Sequence, residues 1–183
     1  MIVKIVEEIQ HCIEMEQYLA ALALSLTLPD ICGKAEYPQE RSTSNRYIKW
    51  LNDQMMDFDG LYKEKNSAGY PKRAYLEGKL VYSLRCSFLH AGDTQINLDE
   101  LREKDNHLTS FSLEIRDKDD PLYLSSNTHT CLIEKETGEI IREYTVNIPY
   151  LCKIISGLAM EYYKNNTEKF EFKYNIKDLR RKK

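Results

Sequence analysis

The sequence predicts an α+β protein that is mainly α, a helical bundle with a small antiparallel β-sheet inserted before its last long helix. Three observations predict it. Apolar residues step by three and four from Ile2 to Leu26, from Tyr47 to Met56, from Leu76 to Phe88 and from Leu151 to Tyr162, the spacing of one buried face on each of four helices. Between the third and fourth of these, Phe111, Leu113 and Ile115 alternate with polar neighbours at the strand period of two. No Pro/Gly/Ser-rich linker divides the 183 residues, a length suited to one sizeable core. The expected organisation is a single domain over 1–183, with the bundle at 1–92 and 149–166, the β insertion at about 108–148 and a C-terminal strand or arm at 168–183.

Taken in order, Ile5, Val6, Ile9, Cys12, Ile13, Leu19, Leu22 and Leu26 describe one long amphipathic helix that Pro29 ends, and Pro29-Asp30-Ile31-Cys32-Gly33 has the composition of a turn. Ser42, Thr43 and Ser44 are capping residues for a helix over 43–57, with Tyr47, Ile48, Leu51, Met55 and Met56 as its stripe and Trp50 beside it. Asp57-Phe58-Asp59-Gly60 reads as a turn, since the rest of a calcium-binding loop is missing. Pro71 suits the first turn of the next helix, which carries Leu76, Leu80, Leu84 and Phe88 and should stop at Gly92. Gly78 inside it marks a close approach to another helix. Strands follow at 110–116, 130–134 and 140–148, the last two joined by a short hairpin loop around Gly138, and His129 there reads as a cross-strand residue. Pro149 opens the final helix, where Gly157 and Ala159 would allow close packing, and Lys164-Asn165-Asn166 ends it.

Composition excludes several classes. A net charge of −3 is wrong for a general nucleic-acid binder, so any RNA contact must be local. Basic residues gather at Lys34, Arg41, Arg46 and Lys49, at Lys72 and Arg73, and at 180–183; Arg46 and Lys49 are the substrate-binding candidates among them. Five widely spaced cysteines without a C-x-x-C pair suggest reduced thiols, with neither a disulfide framework nor a metal site. Seven glycines, all scattered singly, form no phosphate loop or dinucleotide fingerprint, so no cofactor is expected. The apolar run Leu19 to Leu28 is ten residues long and follows acidic Glu7 and Glu8, too short to span a membrane and wrongly flanked for a signal peptide. A cytoplasmic location follows by default.

Chemistry concentrates in one stretch, Tyr82-Ser83-Leu84-Arg85-Cys86-Ser87-Phe88-Leu89-His90-Ala91-Gly92. At about 100° per residue, Arg85 and His90 would stand about 140° apart on an ideal helix, too far to share a face. If the chain unwinds at Ala91-Gly92, the imidazole swings back towards the guanidinium, setting a group that titrates near neutrality beside a permanent cation. Arg102 and His107 repeat the spacing, but in a charged, apolar-poor run.

Arg-x4-His at the end of a bundle helix, within Tyr82-x-Leu84-Arg85-x-x-Phe88-Leu89-His90-x-Gly92, resembles the signature of the HEPN superfamily of helical domains, many of them metal-independent endoribonucleases. The residue after the arginine departs from the pattern: it is Cys86, where catalytic members often carry Asn, Asp or His. The resemblance implies that Arg85 and His90 are catalytic, that the RNA supplies its own 2′-hydroxyl nucleophile, and that two copies pair so that their motifs face one another across Val81, Phe88 and Leu89. Tyr82 either orients the substrate or packs. Two other readings stay open. The chain is a catalytically inactive HEPN-like module that binds a protein partner or nucleotide, with the β insertion as an edge for that partner; or Arg85 and His90 only satisfy their own helix end.

Overall fold

The computed structural model describes residues 1–59, 77–101, 109–120, 128–133 and 140–171. Six α-helices lie among them: α1 (Ile2–Glu14), α2 (Tyr18–Ser25), α3 (Leu28–Glu36), α4 (Thr43–Asp59), α5 (Gly78–Cys86) and α6 (Ile148–Asn165). Three strands, β1 (Ser110–Glu114), β2 (Thr128–Ile133) and β3 (Ile140–Asn147), sit between α5 and α6, so the chain is mainly helical with a small sheet before its last long helix.

The expected single helix from Ile2 to Pro29 is three helices. α1 breaks at Glu16, a non-glycine residue in the left-handed region (φ 58°), and Gln17 closes the bend by donating to the Cys12 carbonyl at 2.7 Å. The break folds α2 back on α1, so that Leu22 and Leu26 share a core with Ile2, Val6 and Ile9. Pro29 does not stop a helix, and 29–33 is not a turn. Pro29 stands in the first turn of α3, where its missing N–H is no loss and Asp30 meets the positive end of the helix dipole. α4 stays helical through Asp59, so the turn expected at 57–60 is helix over its described part.

Trp50, Tyr47, Leu51, Leu84, Leu151 and Ile155 are fully buried; α6 packs on α1, α2 and α3, and α4 packs between α3 and α5. Two glycines set the spacing. A Cβ at Gly33 would lie 2.7 Å from the Arg46 carbonyl oxygen, pressing α3 against α4; one at Gly78 would lie 2.6 Å from the Ile48 carbonyl oxygen, pressing α5 against α4. The Gly78 amide also donates to Asn52 Oδ1 at 2.7 Å. Gly78→Ala is expected to cost about 1–3 kcal/mol through overpacking against backbone, measured as a drop in the denaturant midpoint at unchanged slope. Gly157 is no packing glycine: nothing lies within 4 Å of its would-be Cβ, because it faces out of α6.

The sheet is mixed where an antiparallel one was expected. Its order is β1-β3-β2: β2 runs antiparallel to β3 (Thr130 opposite Glu143), but β1 runs parallel to it (Phe111 opposite Tyr144). The short 134–139 connection permits a hairpin for β2 and β3, while the longer path from β1 allows the crossover that parallel pairing needs. Tyr144 and Val146 bury one face of β3, which passes directly into α6 at Ile148 with Pro149 in the first turn. The strand or arm expected at 168–183 begins with the 3-10 turn Thr167–Lys169 and Phe170, whose ring meets Tyr162 and Tyr163 edge-on; residues 172–183 lie outside the described part, as do Pro71 and Leu76, the hairpin loop around Gly138 and the second Arg/His spacing at 102–107. No helix among the described residues is long and apolar enough to cross a membrane.

Candidate functional site

α5 does not unwind before His90. It widens: Ser87–Ala91 forms a π-helical turn, closed by Gly92 in the left-handed conformation (φ 68°) and by the Asp93 amide donating to the Ser87 carbonyl at 3.2 Å. A turn closed by i→i+5 bonds advances less per residue than an α turn, so it returns the His90 side chain towards Arg85 without breaking the helix. Such a local widening is frequent at functional positions in other helices. Gly92 is required by its positive φ, and the helix stops there as its sequence implies.

The convergence is close. Arg85 Nη1 lies 3.1 Å from His90 Nε2. A guanidinium only donates, so in this hydrogen bond Nε2 is the acceptor, and the ring proton is assigned to Nδ1. His90 is exposed at the end of the turn, whereas the Arg85 side chain is 16% exposed and held from behind. Its Nε and Nη2 both reach Asp30 Oδ2 at 2.7 Å, and Asp30 comes from the first turn of α3. Burial pushes the Asp30 carboxyl above the usual carboxylate range despite the pull of Arg85, in keeping with its second oxygen, Oδ1, being sealed and without a hydrogen bond. For Arg85 burial acts downward, but the Asp30 charge outweighs it and keeps the guanidinium firmly charged.

Tyr82 and Cys86 lie one turn apart beside this pair. The Arg85 guanidinium carbon stands 5.7 Å from the Tyr82 ring centre, and burial, with the neighbouring Cys86 thiol, raises the pKa of the Tyr82 hydroxyl. Behind Tyr82, the Tyr47 ring packs edge-on at 5.2 Å, and its hydroxyl is buried without a hydrogen-bond partner. Phe88 and Leu89 are half-buried against the core, and Val81 is fully part of it, so Val81 does not flank the site as expected.

The two basic candidates on α4 separate. The Arg46 charge reaches Asp30, but its guanidinium is engaged with the Glu40 carbonyl and, at 3.3 Å, with Thr43 Oγ1, tying down the loop between α3 and α4. Lys49 is not brought to Arg85 and His90. It stands 4.2 Å from the centre of the Tyr37 ring, in a second polar cluster where Tyr37 donates to Asp53, and Tyr162 and Lys169 donate to Glu36. Burial disfavours the Glu36 carboxylate, but the bonds from Lys169 and Tyr162 outweigh it and hold its pKa below the usual range. The stability that Glu36 supplies is thus present above the ordinary Glu pKa of about 4.3 and lost as pH falls through its lowered folded value. Thermal melts from pH 6 to 3 are expected to fall more steeply for the wild type than for Glu36→Gln.

Arg85 therefore joins His90 and Tyr82 on one side to Asp30 on the other, a residue that sequence spacing could not supply, because it lies 55 positions from its partner. The one local sign was a carboxylate directly after a proline at the head of an apolar segment. Among the described residues no group of three or more His, Cys, Asp or Glu is placed to hold a metal ion. Compared with protein-family models, with curated proteins and with solved structures, the chain gives no match in any of the three.

Proposed function

We propose that this chain is a HEPN-like, metal-independent endoribonuclease that cleaves RNA by attack of a ribose 2′-hydroxyl on the adjacent phosphorus. The observation that carries the reading is the 3.1 Å contact between Arg85 Nη1 and His90 Nε2 at an open helix end. As the phosphate takes the Arg85 N–H groups, His90 Nε2 is released from its contact with Nη1, and its freed lone pair takes the 2′-hydroxyl proton as the 2′-oxygen bonds to phosphorus; the same proton then goes to the departing 5′-oxygen as its bond to phosphorus breaks, leaving a 2′,3′-cyclic phosphate. Arg85 neutralises the charge that builds on the non-bridging oxygens. Proton transfer of this kind contributes about 10²–10⁴-fold and electrostatic stabilisation a comparable factor. Tyr82 and Arg46 are read as contacts to the RNA around that phosphate; Lys49 contributes only if the strand extends towards Tyr37.

The active form in this reading is a homodimer whose two motifs meet through the exposed end at Ala91 and Gly92, beside Phe88 and Leu89. Light scattering at micromolar concentration tests it; a monomer removes the composite site. A cytoplasmic setting fits the free thiols of Cys12, Cys32, Cys86 and Cys152.

Two observations favour a second reading, a catalytically inactive HEPN-like module that binds a protein partner, through the β insertion, or a nucleotide: Asp30 offsets the Arg85 charge, and Cys86 stands after the arginine. Incubating purified protein with structured and unstructured RNA in chelator, alongside His90→Ala and Arg85→Ala, separates the two. Cleavage by the wild type that both variants lose supports the nuclease; no cleavage by any of the three favours the module.

A further inference from the structure

Two buried polar atoms behind the Arg85 and His90 pair have no partner, and Arg46 Nε, whose charge also acts on Asp30, is a third. Asp30 holds Arg85 through Oδ2 alone, and its Oδ1 accepts nothing. The Tyr47 hydroxyl, on a side chain with 0% exposure, donates to nothing. Unmet buried groups are costly and rare. Here an acceptor and a donor are left over in one cluster: Tyr47 packs on Tyr82, Tyr82 lies against Arg85, and Arg85 is bound by Asp30. Of the charges that act on the Tyr47 hydroxyl, that of Asp30 is the largest.

The charges set a problem for the ligand. In the state seen, the Asp30 carboxylate takes two of the five guanidinium N–H directions and cancels the Arg85 charge. A phosphodiester uses the same planar fork and the same charge, so it competes with the carboxylate for them. A carboxylate displaced into the protein without a new donor would be a buried, unpaired charge.

We propose that Tyr47 is a positioning residue that receives Asp30: as an RNA phosphate takes the N–H groups of Arg85, the carboxylate turns and accepts the Tyr47 O–H through Oδ1. The inference rests on the ribonuclease reading for the identity of the anion and adds how the site admits it. Arg85 is neutralised while the site is empty and becomes available only to an anion strong enough to displace Asp30. Tyr47 touches no substrate in this scheme; it acts through Asp30.

The test is binding of a single-stranded 2′-O-methyl oligonucleotide, which cannot be cleaved, to wild type, Tyr47→Phe, Asp30→Asn and the double variant, with a thermal melt of each. A hydrogen bond to a charged group that exists only in the bound state makes Tyr47→Phe bind about ten-fold more weakly. It should melt no lower than wild type, because the free state loses an unmet hydroxyl. Asp30→Asn should bind more tightly, and adding Tyr47→Phe to it should change binding by less than about two-fold. A Tyr47→Phe protein that binds like the wild type, or loses as much in the Asp30→Asn background, overturns the exchange. If wild type cleaves ordinary RNA while Tyr47→Phe binds normally, the nuclease reading stands and this inference alone falls; a wild type that neither binds the oligonucleotide nor cleaves RNA removes both.

Discussion

Replacing His90 with Ala is expected to slow RNA cleavage by about 10²–10⁴-fold while leaving the protein as stable as before, within about 0.5 kcal/mol. The two halves of this expectation come from the same geometry. His90 lies in a π-helical turn with its side chain exposed, and its polar contact among the described residues is with Arg85, whose Nη1 can turn to water when the ring is removed. In the proposed reaction the ring supplies the lone pair that moves the proton, and the other base beside Arg85, Asp30, is part-buried behind the guanidinium. Single-turnover rates with a melt of each protein check both halves together. Full activity in His90→Ala would exclude the proposed proton transfer even if cleavage itself were real.

Arg85→Ala is expected to have two separable effects. Cleavage falls about 10²–10³-fold, the usual cost of removing a donor that stabilises developing charge. Stability falls as well, by about 2 kcal/mol, between the small value of an exposed ion pair and the 3–5 kcal/mol of a buried one, because Asp30 is left part-buried with no cation. Adding Asp30→Ala to Arg85→Ala removes the orphaned carboxylate and should restore most of the stability but none of the cleavage. Denaturant unfolding and rates on wild type and these two variants decide it. If the double variant regains activity, Arg85 served only to neutralise Asp30, and the structural reading of the pair is correct.

How much of this was legible in the sequence depends on which interactions are local. α4 and α6 could be read because Tyr47, Leu51 and Met55, and Leu151, Ile155 and Leu158, repeat at helical spacing and bury the face they predict. The break at Glu16 could not, since no glycine or proline marks it and both flanking helices are apolar on compatible faces. Pro29 misled because a proline that ends one helix looks the same as one that begins the next. Alternation in Phe111, Leu113 and Ile115 reports which side chains share a face, not which way the strand runs, so the parallel pairing of β1 with β3 stayed hidden. At the site, spacing found Arg85 and His90 but gave the wrong device for joining them, unwinding where the helix widens. Asp30 is set against Arg85 by the packing of α3, α4 and α5, which depends on Gly33 and Gly78, and no local pattern encodes such a meeting.

The central claim is that a guanidinium and a neutral imidazole at one helix end act on a ribose phosphate linkage. The most direct measurement is the chemical identity of the ends left on a short RNA after incubation with wild-type protein in chelator, read by mass spectrometry beside the same strand carrying 2′-deoxyribose throughout. Expected are a 2′,3′-cyclic phosphate and a free 5′-hydroxyl from the RNA and an intact deoxy strand. Cleavage of the deoxy strand, or 5′-phosphate ends on the RNA products, would contradict it.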